Sequence, residues 1–228
     1  MFKRYRWYRV QLPKNSAAFN EAVAQNTFTP DTDFGFSRLE DESGSGSSTF
    51  RFLWRSKITV AKYNQEGLLD FENVTTVHFT DFTIFGIDEN IFLRIENPTR
   101  SLSDFFNTLE RIYGLGFTNK RITFEKSKPH TVFSAVDLAM LTKLKVVGVT
   151  FDNGLVGKME FESKTGIEES QLQLLHGIPY KIESASYELL ISGVRGHLTF
   201  SANGSVKVGG NLAPRILHLI EKDMLTYI

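Results

Sequence analysis

The chain has 228 residues, 41% hydrophobic and 23% charged, with 26 basic side chains against 26 acidic ones and no cysteine. Thiol chemistry is excluded, and zero net charge leaves no global attraction to nucleic acid or to an anionic membrane. No apolar run approaches the roughly 20 residues of a membrane-spanning helix, and Met1–Tyr8 is followed by no apolar stretch of a signal peptide, so a cytoplasmic protein is expected.

Charge is uneven along the chain: net +3 over residues 1–60, −5 over 61–115, +4 over 116–150 and −2 over the rest. Such alternation allows a basic face opposite an acidic one. Many of the 20 phenylalanines sit in alternating runs, which points to sheet faces covered by rings.

Residues 4–12 alternate as a first strand, with Tyr8, Val10 and Leu12 on one face and Tyr5, Trp7 and Arg9 on the other. After Pro13, Asn15 or Ser16 caps a short helix that turns Phe19, Ala22 and Val23 inward and fades by Asn26. Phe34–Leu39 reads as a strand, and the Ser/Gly tract within 40–48 as a loop joining it to the next. From Thr49 the strand signal is strong, and Ile58–Tyr63 continues that strand or begins its neighbour. A turn at Gln65–Gly67 leads to strands at Val74–Phe79, Phe82–Ile87 and Ile91–Ile95, with breaks at Asp81 and at Asp88–Asn90 too short for parallel crossovers. A helix follows from a Ser101/Asp104 capping box to Tyr113, closed by Gly114 and Gly116.

The second half begins with a short strand at Arg121–Phe124 and a helix predicted over Thr131–Leu144. Lys145–Phe151 and Leu155–Phe161 form a hairpin about Asp152-Asn153-Gly154. A short helix near Glu168–Leu175, strands at Lys181–Ser192 and Gly196–Ser201, an Asn203-Gly204 turn and a strand at Ser205–Val208 come next. The chain closes with a helix from Leu212 to about Thr226, capped by Asn211, with Pro214 in its first turn. The expected class is α+β, predominantly antiparallel sheet with about four to five helices. Residues 1–116 and 117–228 form two α+β halves, either separate or merged into one continuous domain. Helix starts near Asn15 and Thr131, and at Ser101 and Asn211, lie 116 and 110 residues apart, which suggests two pseudo-symmetric repeats.

Two constellations bear on function. Asp152 with Glu162-Ser163-Lys164 has the order used by metal-dependent nucleases, where carboxylates hold Mg²⁺ and a lysine positions the attacking water. Yet Asp152 lies at a turn that favours aspartate on backbone grounds, and Glu160, Glu162 and Lys164 on one strand face also describe a solvated sheet. Lys3, Tyr5, Trp7 and Arg9 share one strand face, and Arg51, Arg55 and Lys57 share another. Cations interleaved with rings suit single-stranded nucleic acid, and equally a protein interface. The five histidines show no metal-ligand spacing, and Gly209-Gly210-Asn211 lacks a phosphate-loop fingerprint. The sequence therefore points to a non-enzymatic binding or assembly subunit of a larger complex. Its partners would be proteins or further copies of itself, nucleic acid would be a possible additional ligand, and no membrane or cofactor is called for. The competing reading is a nuclease that uses Mg²⁺ at Asp152, Glu162 and Lys164.

Overall fold

The computed structural model describes residues 2–13, 19–39, 48–124, 133–151 and 154–227. In chain order its first elements are β1 (Phe2–Gln11), α1 (Phe19–Gln25), β2 (Phe34–Arg38), β3 (Ser48–Tyr63), β4 (Leu69–Ile87), β5 (Asn90–Glu96) and α2 (Ser103–Tyr113). There follow β6 (Thr118–Arg121), β7 (Leu138–Thr150), β8 (Val156–Glu162), β9 (Lys181–Ile191), β10 (Val194–Ser201), β11 (Ser205–Gly209) and α3 (Ala213–Lys222). The fold is α+β and mostly antiparallel sheet. The chain separates into two compact units, one of Val10–Gly86 and Asn90–Asn119, the other of Met1–Arg9, Ile87–Glu89 and Lys120–Ile228.

The first of these units orders its strands β2-β3-β4-β5. Alternation in β3 sends Phe50 and Phe52 to the core, opposite Phe82 and Thr80 of β4. The core is a stack of rings: Phe82 lies 4.9 Å from Phe105 of α2, 5.7 Å from Phe50 and 6.2 Å from Phe19 of α1. In α2 the expected apolar stripe buries Phe105 and Leu109, and Gly114, at φ +73°, ends the helix. Close packing also explains Gly35, because a Cβ there would strike the Phe28 backbone.

In the second unit the order is β1-β11-β10-β9-β7-β8. Trp7 of β1 is fully buried, its indole Nε1–H donating to Glu221 at 3.0 Å and its ring edge-on to Phe124. α3 closes this core with Ile216, Leu217 and Ile220. A second cluster, Leu144, Val146, Val149, Leu175 and Ala185, lies farther along the sheet. The β10–β11 hairpin turns at Gly204, φ +79°, and the Asn203 side chain accepts the Ser205 N–H.

Several local expectations are corrected. Leu138–Leu144 is strand rather than helix: Leu138, Leu141 and Leu144 fit a helical spacing, but Leu138, Met140, Leu144 and Val146 fit a period of two, and pairing with β8 and β9 selects the extended one. Asp81 does not break a strand, since it faces Arg51 across the continuous β3–β4 ladder. The capping box at Ser101 does not form. Ser101 Oγ instead meets Ser103, and the N-cap position falls on Leu102 without a side-chain bond. Asn211 likewise sits in a 3₁₀ turn ahead of α3, whose first turn carries the proline. The caps at Asn15 and Ser16, the loop tract 40–47 and the helix start at Thr131 lie outside the described residues.

Candidate interaction surface

Of the nuclease constellation, Asp152 lies outside the described residues, while Glu160 and Glu162 project from one face of β8 opposite Lys145 and Lys143 of β7. Lys143 Nζ bonds to Glu160 and reaches Glu162 at 3.1 Å, and Lys145 reaches Glu160 at 2.9 Å. Hydrogen bonds from Lys143, and then from Lys145, hold the Glu160 carboxyl below its ordinary value, and the same carboxylates raise Lys143. The carboxylates are thus engaged in a cross-strand ion-pair ladder. Lys164, just beyond the strand, is exposed. Among the described residues no three His, Asp or Glu side chains converge as a metal site requires.

The basic and aromatic positions divide between the two units. In β1, Lys3 is exposed and Arg9 half-buried, but Tyr5 and Trp7 are 2% and 0% exposed, so neither ring offers a face for a base to stack on. The opposite face of β1 carries Arg6, which lies close enough to Arg121 for their like charges to lower the Arg121 pKa, burial being the larger cause. In β3, Arg51 makes a bidentate pair with Asp81 at 2.6 and 2.9 Å, and its guanidinium lies 4.2 Å over the Phe79 ring. Arg55 donates to the Thr32 carbonyl at 3.0 Å. Both guanidiniums therefore serve the surrounding fold, whereas Lys57 is exposed.

The largest departure from a closed globular surface is the distal β3–β4 hairpin. Every residue from Lys57 to Thr75 is exposed. β2 accompanies β3 only as far as Trp54, and beyond it seven residue pairs, from Lys57↔Thr75 to Tyr63↔Leu69, form a two-stranded arm. At ~3.4 Å per residue it is roughly 24 Å long. Its turn is fixed locally: Asn64 Oδ1 accepts the N–H groups of Glu66 and Leu68, and Gly67 takes φ +76°.

Directly opposed residues share a face, so the register gives each face of the arm its composition. One face continues the aromatic core outward. Trp54 stacks on His78 at 5.4 Å, His78 Nε2 meets Ser56 Oγ at 2.7 Å, and Ile58 and Val74 follow. Along the other face the pairs run Leu53/Phe79, Arg55/Val77, Lys57/Thr75, Thr59/Asn73, Ala61/Phe71 and Tyr63/Leu69. Phe79, Phe71 and Tyr63 are 54%, 63% and 75% exposed there. In the middle Thr59 Oγ1 donates to Asn73 Oδ1 at 2.8 Å. The sequence did carry a signal for this surface, because apolar residues at 58, 60, 61 and 63, and again at 68, 69, 71, 74, 77 and 79, do not alternate as a strand with one buried face would.

No protein-family model matches the chain, and no curated protein matches it.

Proposed function

We propose that this chain is a non-enzymatic binding or assembly subunit and that its β3–β4 arm makes the contact with a protein partner. The observation that carries this reading is the exposed apolar surface at both ends of one face of the hairpin, Tyr63, Leu69 and Phe71 toward the tip and Val77 and Phe79 toward the base. Single exposed apolar residues need no explanation, but large apolar side chains grouped on one strand face and rimmed by polar ones support an interaction site. An isolated two-stranded hairpin is marginal in water, so a partner that covers it also stabilises it. A phosphate backbone is a poor fit. Residues 57–75 carry Lys57 and Lys62 against Glu66, Asp70 and Glu72, a net charge of −1. The 110-residue spacing between the starts of α2 and α3, at Ser103 and Ala213, supports the further proposal that the two halves descend from one duplicated α+β unit.

The test compares native masses of the full chain recovered gently from expressing cells, as wild type and as the double variant Tyr63→Ser, Phe71→Ser. The wild type is expected in a species heavier than one chain, and the variant as a single folded chain. A wild-type protein that runs as one chain in cell extract and at high concentration after purification defeats the reading.

A further inference from the structure

We infer that the partner of the arm is the arm of a second copy of this chain, packed face to face and antiparallel in a twofold dimer; this rests on the assembly reading above. The ground is that the β4 side of this face reads the same way from either end, Leu69 and Phe71, then Asn73 and Thr75, then Val77 and Phe79, all exposed, while on β3 the half-buried Leu53 mirrors Tyr63 and Arg55 mirrors Ala61. Its outer pairs, Leu53/Phe79 at the base and Tyr63/Leu69 at the tip, are apolar. The next pairs inward, Arg55/Val77 and Ala61/Phe71, each combine a β4 apolar residue with a different neighbour on β3, and the two central pairs, Lys57/Thr75 and Thr59/Asn73, are polar.

An isologous interface is served by this pattern, because a twofold axis through the middle of the face from Leu53/Phe79 to Tyr63/Leu69 maps each position onto its mirror position in the other copy. With the axis at the level of Ile58 and Val74, Leu69 falls on Phe79 of the second copy, Phe71 on Val77 and Tyr63 on Leu53. In the centre Lys57 falls on Thr59, and Asn73 on Thr75. Lysine thus meets a hydroxyl rather than another lysine, and no like charges are brought together. A partner of unrelated sequence has no need of such symmetry.

The area is also sufficient. Tyr63, Leu69, Phe71, Val77 and Phe79 leave on the order of 500 Å² of apolar surface in water, taking ~150–250 Å² for a whole aromatic side chain. The polar centre adds to this, and a standard interface covers about 800 Å² on each partner. The arm's net charge of −1 sets up little repulsion between two copies.

Sedimentation of the purified full-length chain, alone and in mixtures, tests the register as well as the dimer. Phe71→Lys and Val77→Asp each place a charge against an apolar residue of the other copy, twice per dimer. Each alone is expected to raise the dimer dissociation constant about a hundredfold. When the two variants are mixed, Lys at 71 of one chain faces Asp at 77 of the other while the natural Phe71 and Val77 meet at the second contact. The heterodimer is therefore expected to form with near wild-type affinity. Both positions are exposed, and since a misfolded chain could not restore association, rescue also controls for folding. A dimer that survives both variants, or a mixture that stays monomeric, overturns the inference. A monomeric wild type whose arm variants nevertheless lose a heavier mixed assembly in cells overturns the second-copy inference and leaves the assembly reading standing. A monomer with no such assembly defeats both.

Discussion

Tyr187 shows how a single buried side chain imposes a pH limit on this fold. It lies on β9 against Phe133, ring centroids 4.4 Å apart, and burial pushes its phenol up to about 12 from an ordinary 10.0. Between those values the unfolded chain releases a proton that the folded chain keeps, so stability present below pH 10 falls as pH rises toward 12. Tyr187→Phe is expected to flatten part of that alkaline loss in urea melts at a series of pH values; an unchanged slope would show that the phenol is not held in its neutral form. Burial of this kind is hard to read from a sequence. Alternation puts Tyr5 and Trp7 on one face of β1, but what makes that face the core is Phe124 and Glu221, more than a hundred residues away. The same strand read without its partners looks like a ring-and-cation surface.

At the level of elements, the turns were the most legible features and the continuity of strands the least. Asn203-Gly204 announced the β10–β11 hairpin because few residues other than glycine accept the backbone it needs, and Gly204 does adopt φ +79°. A Cβ at this position would also run into the Ile122 carbonyl. Gly204→Ala is accordingly expected to cost about 2 to 4 kcal/mol, from strain and overpacking together, in reversible chemical denaturation. A loss under about 1 kcal/mol would mean that the turn relaxes freely. Asp81 illustrates the opposite case. Read locally, a lone aspartate between apolar runs is a break, but a bidentate Arg51 thirty residues earlier keeps it within β4. Residues 138–144 show the same limit, since different subsets of their apolar residues fit helix and strand and long-range pairing decides. The exposed arm is half legible: the Ile58–Tyr63 strand and the turn at Gln65–Gly67 are expected, but the returning strand begins at Leu69 rather than Val74, and the absence of any cover over the arm is a property of the folded chain.

For the molecule as a whole, the balance of 26 basic and 26 acidic side chains separates two modes of association by their response to salt. Contacts with a nucleic-acid backbone weaken steeply as counterions compete, whereas contacts between apolar faces do not. Self-association measured from about 0.05 M to about 0.5 M salt is expected to change by less than about threefold. A loss of tenfold or more would assign the contact to charge rather than to Tyr63, Phe71 and Phe79. If the proposed dimer forms, the arm would also govern how long each chain survives. A newly made copy that has not met another carries the open ribbon from Lys57 to Thr75, with bare strand edges and apolar side chains, the features by which chaperones and proteases select unassembled proteins. Pairing of the proposed kind would hide that ribbon, so the cellular supply of this chain would be metered by encounter: surplus copies would be turned over and paired ones would persist.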